Sequence, residues 1–198
     1  MFDSTQEIDL TIPSPEGDKH VAVRFPSDEE LTDRVKKMTL VVRSLGRGKT
    51  QTEAQPNQAN DLILLNKIKI SGDDLDEYEA SQVIGRLVRC KVEDSKRDAN
   101  QFLVTLKVPG AITTHSLKIP SAKQAHNYSR AAISVIEGRH GIQEMRMNPH
   151  ASRELYDALI VQADGYAADV PLPHKETVIS EVMALLNAIN SDDDVEGF

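Results

Sequence analysis

The chain carries one short pattern twice. The segment His20 to Leu31 reads HVAVRFPSDEEL, and some ninety residues later His115 to Ala125 reads HSLKIPSAKQA. Each is a short alternating apolar run, then a basic residue (Arg24, Lys118), an apolar residue (Phe25, Ile119), Pro-Ser, and Glu or Gln three places after the Ser. Ser27 with Glu30 and Ser121 with Gln124 both fit a capping box, the reciprocal side-chain and backbone hydrogen bonding that starts a helix. Each copy is therefore expected to be a strand that turns directly into a helix. Two such joints predict an α+β protein: antiparallel hairpin or meander units, each followed by a helix.

At 198 residues the chain is long enough to bury a core, as one domain or two small ones. No apolar run approaches the roughly 20 residues of a membrane helix. The first residues, Met1 to Asp9, are polar and acidic, which is not the pattern of a signal peptide. A single cysteine, Cys90, excludes an internal disulfide and any multi-cysteine metal site, and its setting in a strand-like run predicts a small buried hydrophobe. These features lead to the expectation of a cytoplasmic protein in a reducing compartment.

Charge is unevenly placed along a chain of formal net charge −8. Arg34, Lys36, Lys37, Arg43, Arg47 and Lys49 form a basic run without an acid. Asp73, Asp74, Asp76, Glu77 and Glu79 form one acidic block, and Asp192, Asp193, Asp194 and Glu196 another. The acidic total argues against broad nucleic-acid binding. Opposite blocks on one chain suit self-assembly or docking to a charged partner.

The patterning divides the chain into four stretches. Residues 1–50 form a hairpin–helix unit ending in the basic run. Its hairpin spans 6–12 and 18–25, and the apolar stripe Leu31, Val35, Met38, Val42 and Leu45 predicts a long helix, although Thr39 to Val42 also favours a strand. Residues 51–86 form a loop and helices: a Gln-, Asn- and Pro-rich loop from Thr50 to Asn60, then helices at about 60–69 and 75–86. Residues 87–190 form an antiparallel meander plus helices. Its strands are Leu87 to Val92, Phe102 to Val108 and a third that ends at the second Pro-Ser, with a polar turn from Asp94 to Gln101. A helix from Ser121 to Gly138, a strand at 141–147, a helix from Arg153 to Gln162 and a last helix at 174–190 complete it. Residues 191–198 are expected to be an acidic disordered tail, with the polar character starting at Asn187. In the last helix, positions 178, 182, 185 and 189 make one apolar stripe and 179, 183 and 186 a second. That is wider than one buried face needs, so part of it is expected to meet another subunit or a partner.

The motifs that could carry chemistry are incomplete. Gly48-Lys49-Thr50 lacks the first glycine of a phosphate loop, because Arg43 stands there, and no helix is expected after it. The histidines His20, His115, His126, His140, His150 and His174 contain no close ligand pair. Glu137-x-x-His140 has the spacing used in di-metal bundles, but Gly138 interrupts it. His126 with Ser129, or His174 with a serine, is not set in a strained nucleophile turn. Asp73 and Asp76 suit a helix start. No catalytic, cofactor or metal residue is assigned. The basic run remains the candidate partner-binding surface, and it lacks the aromatic platforms that single-strand recognition uses.

The strand, basic–apolar–Pro–Ser and helix pattern of Val21 to Ser27 and Thr114 to Ser121 resembles small proteins of tailed-phage tail modules, tail assembly chaperones in particular. The resemblance spans about thirty residues, and the doubling is a departure from such proteins. It implies a non-enzymatic structural or tail-assembly protein that binds tube or tape-measure proteins and possesses no active site; a homo-oligomer is expected separately, from the wide apolar arc of the last helix. A nucleic-acid-associated accessory protein using 34–49 is the alternative expectation, and an enzyme of unrecognised type the third.

Overall fold

The computed structural model describes residues 1–46, 49–55, 57–137 and 143–193; for 39–46, 49–55, 133–137, 143–147 and 190–193 it describes the backbone alone. The class is α+β, and the chain forms two compact units. The first comprises Thr5–Leu87 together with Ile133–Asn148, and the second Met1–Ser4, Val88–Ala132 and Pro149 onward.

In the first unit, β1 (Glu7–Ile12) and β2 (Lys19–Arg24) form an antiparallel hairpin with Leu10 opposite Val21. Pro26 cannot continue the ladder, and Ser27 opens α1 (Asp28–Lys36) with a complete capping box. The hairpin β3 (Thr39–Gly46) and β4 (Lys49–Gln55) comes next. Then α2 (Gln58–Ile68) passes without a loop into β5 (Lys69–Gly72), which pairs with β2 and gives the order β1-β2-β5. The unit closes with α3 (Glu77–Leu87). One sheet face buries Ile12, Val21 and Val23, while α2 supplies Leu64, Leu65 and Ile68 and α3 supplies Val83, Ile84 and Leu87.

The second unit begins with the meander β6 (Lys91–Asp98), β7 (Gln101–Val108) and β8 (Ala111–Lys118). Pro120 and Ser121 then open α4 (Ala122–Ala131) with a second complete capping box. The hairpin β9 (Ile133–Glu137) and β10 (Gln143–Met147) belongs to the first unit, where β10 lies beside β3 and α1. Next, α5 (Pro149–Leu159) passes without a loop into β11 (Ile160–Asp164), which pairs with β8 in the order β11-β8-β7-β6. The last element is α6 (Leu172–Asp193). Here Phe102, Val104, Leu106 and Leu117 form the buried sheet face, covered by Leu155, Tyr156 and Leu159 of α5 and Val178, Ile179 and Val182 of α6.

The doubled joint is thus one part of a doubled architecture. β1-β2-α1-hairpin-α2-β5-α3 repeats as β7-β8-α4-hairpin-α5-β11-α6, with β6 added at one edge. The match extends to single residues. Asp61, Leu64, Leu65 and Ile68 of α2 have the spacing of Ser152, Leu155, Tyr156 and Leu159 of α5, and all eight are buried. Val83, Ile84 and Leu87 of α3 match Val178, Ile179 and Val182 of α6 in the same way. A glycine at positive φ closes the last strand of each copy: Gly72 (108°) ends β5, and Gly165 (89°) directly follows β11. A Cβ on Gly72 would collide with the backbone of His20 and Val21, and one on Gly165 would lie 2.7 Å from the Ile112 carbonyl oxygen. Only glycine allows this approach to the central strand.

Several expectations are corrected. The helix predicted through Leu45 ends at Lys36, and β-branched Thr39, Val41 and Val42 lie in β3. The loop predicted from Thr50 to Asn60 is mostly ordered: β4 runs to Gln55, and Asn57 caps α2, its side chain accepting from the Asn60 amide. The polar stretch from Asp94 is strand as far as Asp98, because β6 is an edge strand that solvent reaches; the turn is only Ala99–Asn100. The helix from Ser121 stops at Ala131, and Gly138 lies outside the described residues. Helix α5 ends at Leu159 because β8 takes the following residues as a strand partner. Cys90 precedes β6 rather than lying in a strand. Finally, α6 extends to Asp193, so Asn187 to Asp193 are helical.

Replacing Ser27 or Ser121 with Ala is expected to cost about 1 kcal/mol each in urea unfolding, because each removes an N-cap acceptor. Gly72→Ala and Gly165→Ala are expected to cost more, on the order of 2 kcal/mol or above, since each adds strain to a backbone collision.

Candidate functional site

Among the described residues, the cations of the basic run take different settings. Arg34 is turned inward on α1: its Nε donates to Asp61 Oδ1 at 2.7 Å and its Nη2 to Oδ2 at 3.2 Å. Asp61, on α2, is 1% exposed and also accepts from Ser81 Oγ on α3 at 2.8 Å. A bidentate pair with a third donor satisfies the buried carboxylate and holds three helices together. Lys36 and Lys37 are exposed at the end of α1. Arg43 lies on β3 and Lys49 on β4, where only the backbone is described, and Arg47 lies outside the described residues.

The two copies resolve the same positions with different chemistry. By the spacing of their helices, Arg34 and Asp61 correspond to Tyr128 and Ser152, whose hydroxyls lie 3.4 Å apart across α4 and α5. Arg24 forks onto Glu30 at 2.8 and 2.7 Å, and this hydrogen bond holds the Glu30 carboxyl down at about 2. Its counterparts are Lys118 and Gln124, and Gln124 instead accepts from the Ser121 amide and hydroxyl. Lys19 donates to Glu79 at 2.9 Å, which likewise lowers Glu79 to about 2; the matching positions are Thr113 and His174. Charged bridges in the first copy are thus neutral or weaker in the second.

Thr113 and His174 belong to a polar cluster inside the second unit. His115, which takes the place of Val21, is fully buried. Its Nδ1 lies 2.8 Å from Tyr156 Oη and its Nε2 3.1 Å from Tyr166 Oη. Tyr166 Oη donates to Thr113 Oγ1 at 3.1 Å and lies 3.0 Å from His174 Nδ1. These contacts each pair a donor with an acceptor when Tyr156 donates to His115 Nδ1 while His115 Nε2–H and His174 Nδ1–H both donate to Tyr166. Phe2 packs edge-on against His174 at 4.9 Å, and its backbone is tied to Gly165 and Ala167. Burial pushes His115 down to about 4 and His174 to about 3, and drives both tyrosines well above their usual range. All four groups are therefore neutral at physiological pH.

A groove lies between the first two helices of each copy, and its walls correspond position by position. Asp33 and Arg34 of α1 and Lys37 at its C-cap match Asn127, Tyr128 and Ala131 of α4. Asn60, Ile63, Leu64 and Lys67 of α2 match Ala151, Glu154, Leu155 and Ala158 of α5. Long side chains reduce the first groove to about 30 Å³, whereas alanines open the second to about 190 Å³.

Other readings meet specific geometry. Lys49 and Thr50 begin strand β4, so no helix N-terminus follows Gly-Lys-Thr. Ser129 Oγ donates back to the Ala125 carbonyl at 3.0 Å within its own helix, and His126 is exposed. Asp76 Oδ1 accepts from the Glu79 amide at 2.8 Å as a helix cap, and Asp73 Oδ2 accepts from the His20 amide at 2.7 Å. Cys90 donates to the Val88 carbonyl, and burial raises its thiol to about 11. Glu137 lies on β9, and His140 falls outside the described residues. Among the described residues no three His, Cys, Asp or Glu side chains converge as metal ligands. Comparison with family models, curated proteins and solved structures yields no match.

The sequence reading missed the His–Tyr cluster and both grooves. One signal was available: His115 occupies an inward position that Val21 holds in the other copy.

Arg34→Ala is expected to destabilise the protein by about 3 kcal/mol, because it leaves Asp61 buried without its cation. Tyr128→Phe, at the equivalent place, is expected to cost under about 1 kcal/mol.

The histidines also set a pH dependence. Their folded pKa values lie below the ordinary 6.5, so the unfolded chain binds protons first. Their contribution is complete above pH 6.5 and is lost as pH falls from there to about 3. Glu30 and Glu79 lose theirs later, from 4.5 down to about 2. Unfolding free energy is expected to drop between pH 7 and 5 by up to about 1.4 kcal/mol per pH unit for each histidine. The His115→Gln/His174→Gln variant, less stable overall, should show a flatter profile there.

Proposed function

We propose that this chain is a non-enzymatic structural or assembly protein of phage type that works through protein–protein contacts. The observation that carries the reading is where its reactive groups go. Arg34, Asp61, Lys19, Glu79, His115, Tyr156, Tyr166 and His174 all bind one another inside the two units. The doubled unit instead turns outward helix–helix grooves and the cations Lys36 and Lys37. Such a surface suits recognition. The strand–Pro-Ser–helix resemblance supports a tail module as the setting, with a tube or tape-measure protein as the partner. Lys36 and Lys37 would speed encounter with an acidic partner surface more than they would tighten the complex.

Titration against the tail-tube and tape-measure proteins of the same genome tests this. A stable complex is expected, and Lys36→Glu/Lys37→Glu should lower its association rate several-fold and flatten its salt dependence. Failure to bind either protein, together with DNA-column retention that the double substitution abolishes, would favour the nucleic-acid reading instead.

A further inference from the structure

The two grooves differ in shape and charge at corresponding positions. In the first copy Ile63 stands 53% exposed on α2, and Lys37 and Lys67, lining the same groove, are exposed as well. Ile63 thus fills and rims this narrow groove as an apolar knob, with the cations Lys37 and Lys67 and the acid Asp33 around it. In the second copy the corresponding surface is a hollow. Ala131 and Ala158 replace the two lysines, Ala151 replaces Asn60, and the exposed carboxylate Glu154 stands where Ile63 stands in the other.

We propose that the α4–α5 groove of one molecule receives the Ile63 face of α2 from a second copy of this chain, so that the protein assembles head to tail. The occupant follows from shape and charge. The hollow is open where the knob is filled, and its rim carries the acid Glu154, while the knob's surround of Lys37, Lys67 and Asp33 keeps a net positive charge. Knob against knob would oppose two surfaces of net positive charge, and hollow against hollow would leave a void, so the knob-to-hollow pairing is favoured over either symmetric one. The contact is heterologous: a molecule that has used its knob still offers its hollow, and growth continues until a ring closes or a filament forms. The contact is small, so association should be weak and dependent on concentration. The inference rests on the correspondence of the two grooves and not on the phage reading.

Sedimentation of the full chain over a wide concentration range tests it. The wild-type mass is expected to rise with concentration past that of a dimer, and to do so less at high salt. Ile63→Lys removes the knob, and Ala158→Lys puts into the hollow the residue that the first copy carries at Lys67. All of these positions are exposed, so circular dichroism and melting should be unchanged. Each variant alone should associate at least about tenfold more weakly. Mixed, they should form one-to-one pairs and stop there, because the Ile63→Lys chain keeps an intact hollow and the Ala158→Lys chain an intact knob. A wild type that stays monomeric throughout would overturn the proposal, even if it binds a tail protein. So would association that neither substitution weakens, or variants whose mixture fails to pair.

Discussion

Each unit depends on keeping one face of a short antiparallel sheet dry with two helices. Three strands of four to eight residues bury little on their own. The solution is the same in both copies. A helix runs straight into the edge strand, which pairs with the central strand, and the following helix covers the same face. This brings Leu64, Leu65 and Ile68 over Val21 and Val23, and Leu155, Tyr156 and Leu159 over His115 and Leu117. The edge strand can end against the central strand only because Gly72 and Gly165 have no side chain. Burying each large apolar side chain is worth about 1.5–3 kcal/mol, so this shared packing outweighs any single polar bridge.

Around that frame the copies have diverged in polarity. The first uses charge: Arg34–Asp61, Arg24–Glu30 and Lys19–Glu79. The second uses hydroxyls and imidazoles at two of the matching places and Lys118 with the neutral Gln124 at the third. A buried ion pair needs its partners in place, whereas a neutral cluster tolerates burial but resists protonation. Acid therefore acts on the two units through different groups and over different pH ranges. The same divergence opened one groove and filled the other, so the molecule presents two unlike faces built on one plan.

Much of the plan was legible in the sequence where a local rule applied. The Pro-Ser joints were, because capping needs only four consecutive residues and both boxes formed as written. The α+β class, the meander of β7 and β8 and the helices α2, α3 and α6 followed from periodicity. What misled was context. Thr39 to Leu45 fits a helical stripe as well as a strand, and Ile160 to Gln162 continues the apolar run of α5. Whether such a segment coils or extends depends on the neighbour that accepts its backbone hydrogen bonds. For Ile160 to Asp164 that neighbour is β8, more than forty residues earlier.

The sequence by itself determined the local starts and stops: the two capping boxes, the apolar positions of the helices and the alternation of the inner strands. These are set by interactions among residues a few places apart. Only the tertiary structure decided that the copies share one element order, that Arg34 turns inward to Asp61, and that Thr113, His115 and His174 meet around the Tyr166 hydroxyl while Tyr156 reaches His115. Those contacts join residues far apart in the chain, between 27 and 51 positions for Arg34–Asp61, His115–Tyr156 and His115–Tyr166. No local pattern records them, because their geometry exists only once sheet and helices have packed.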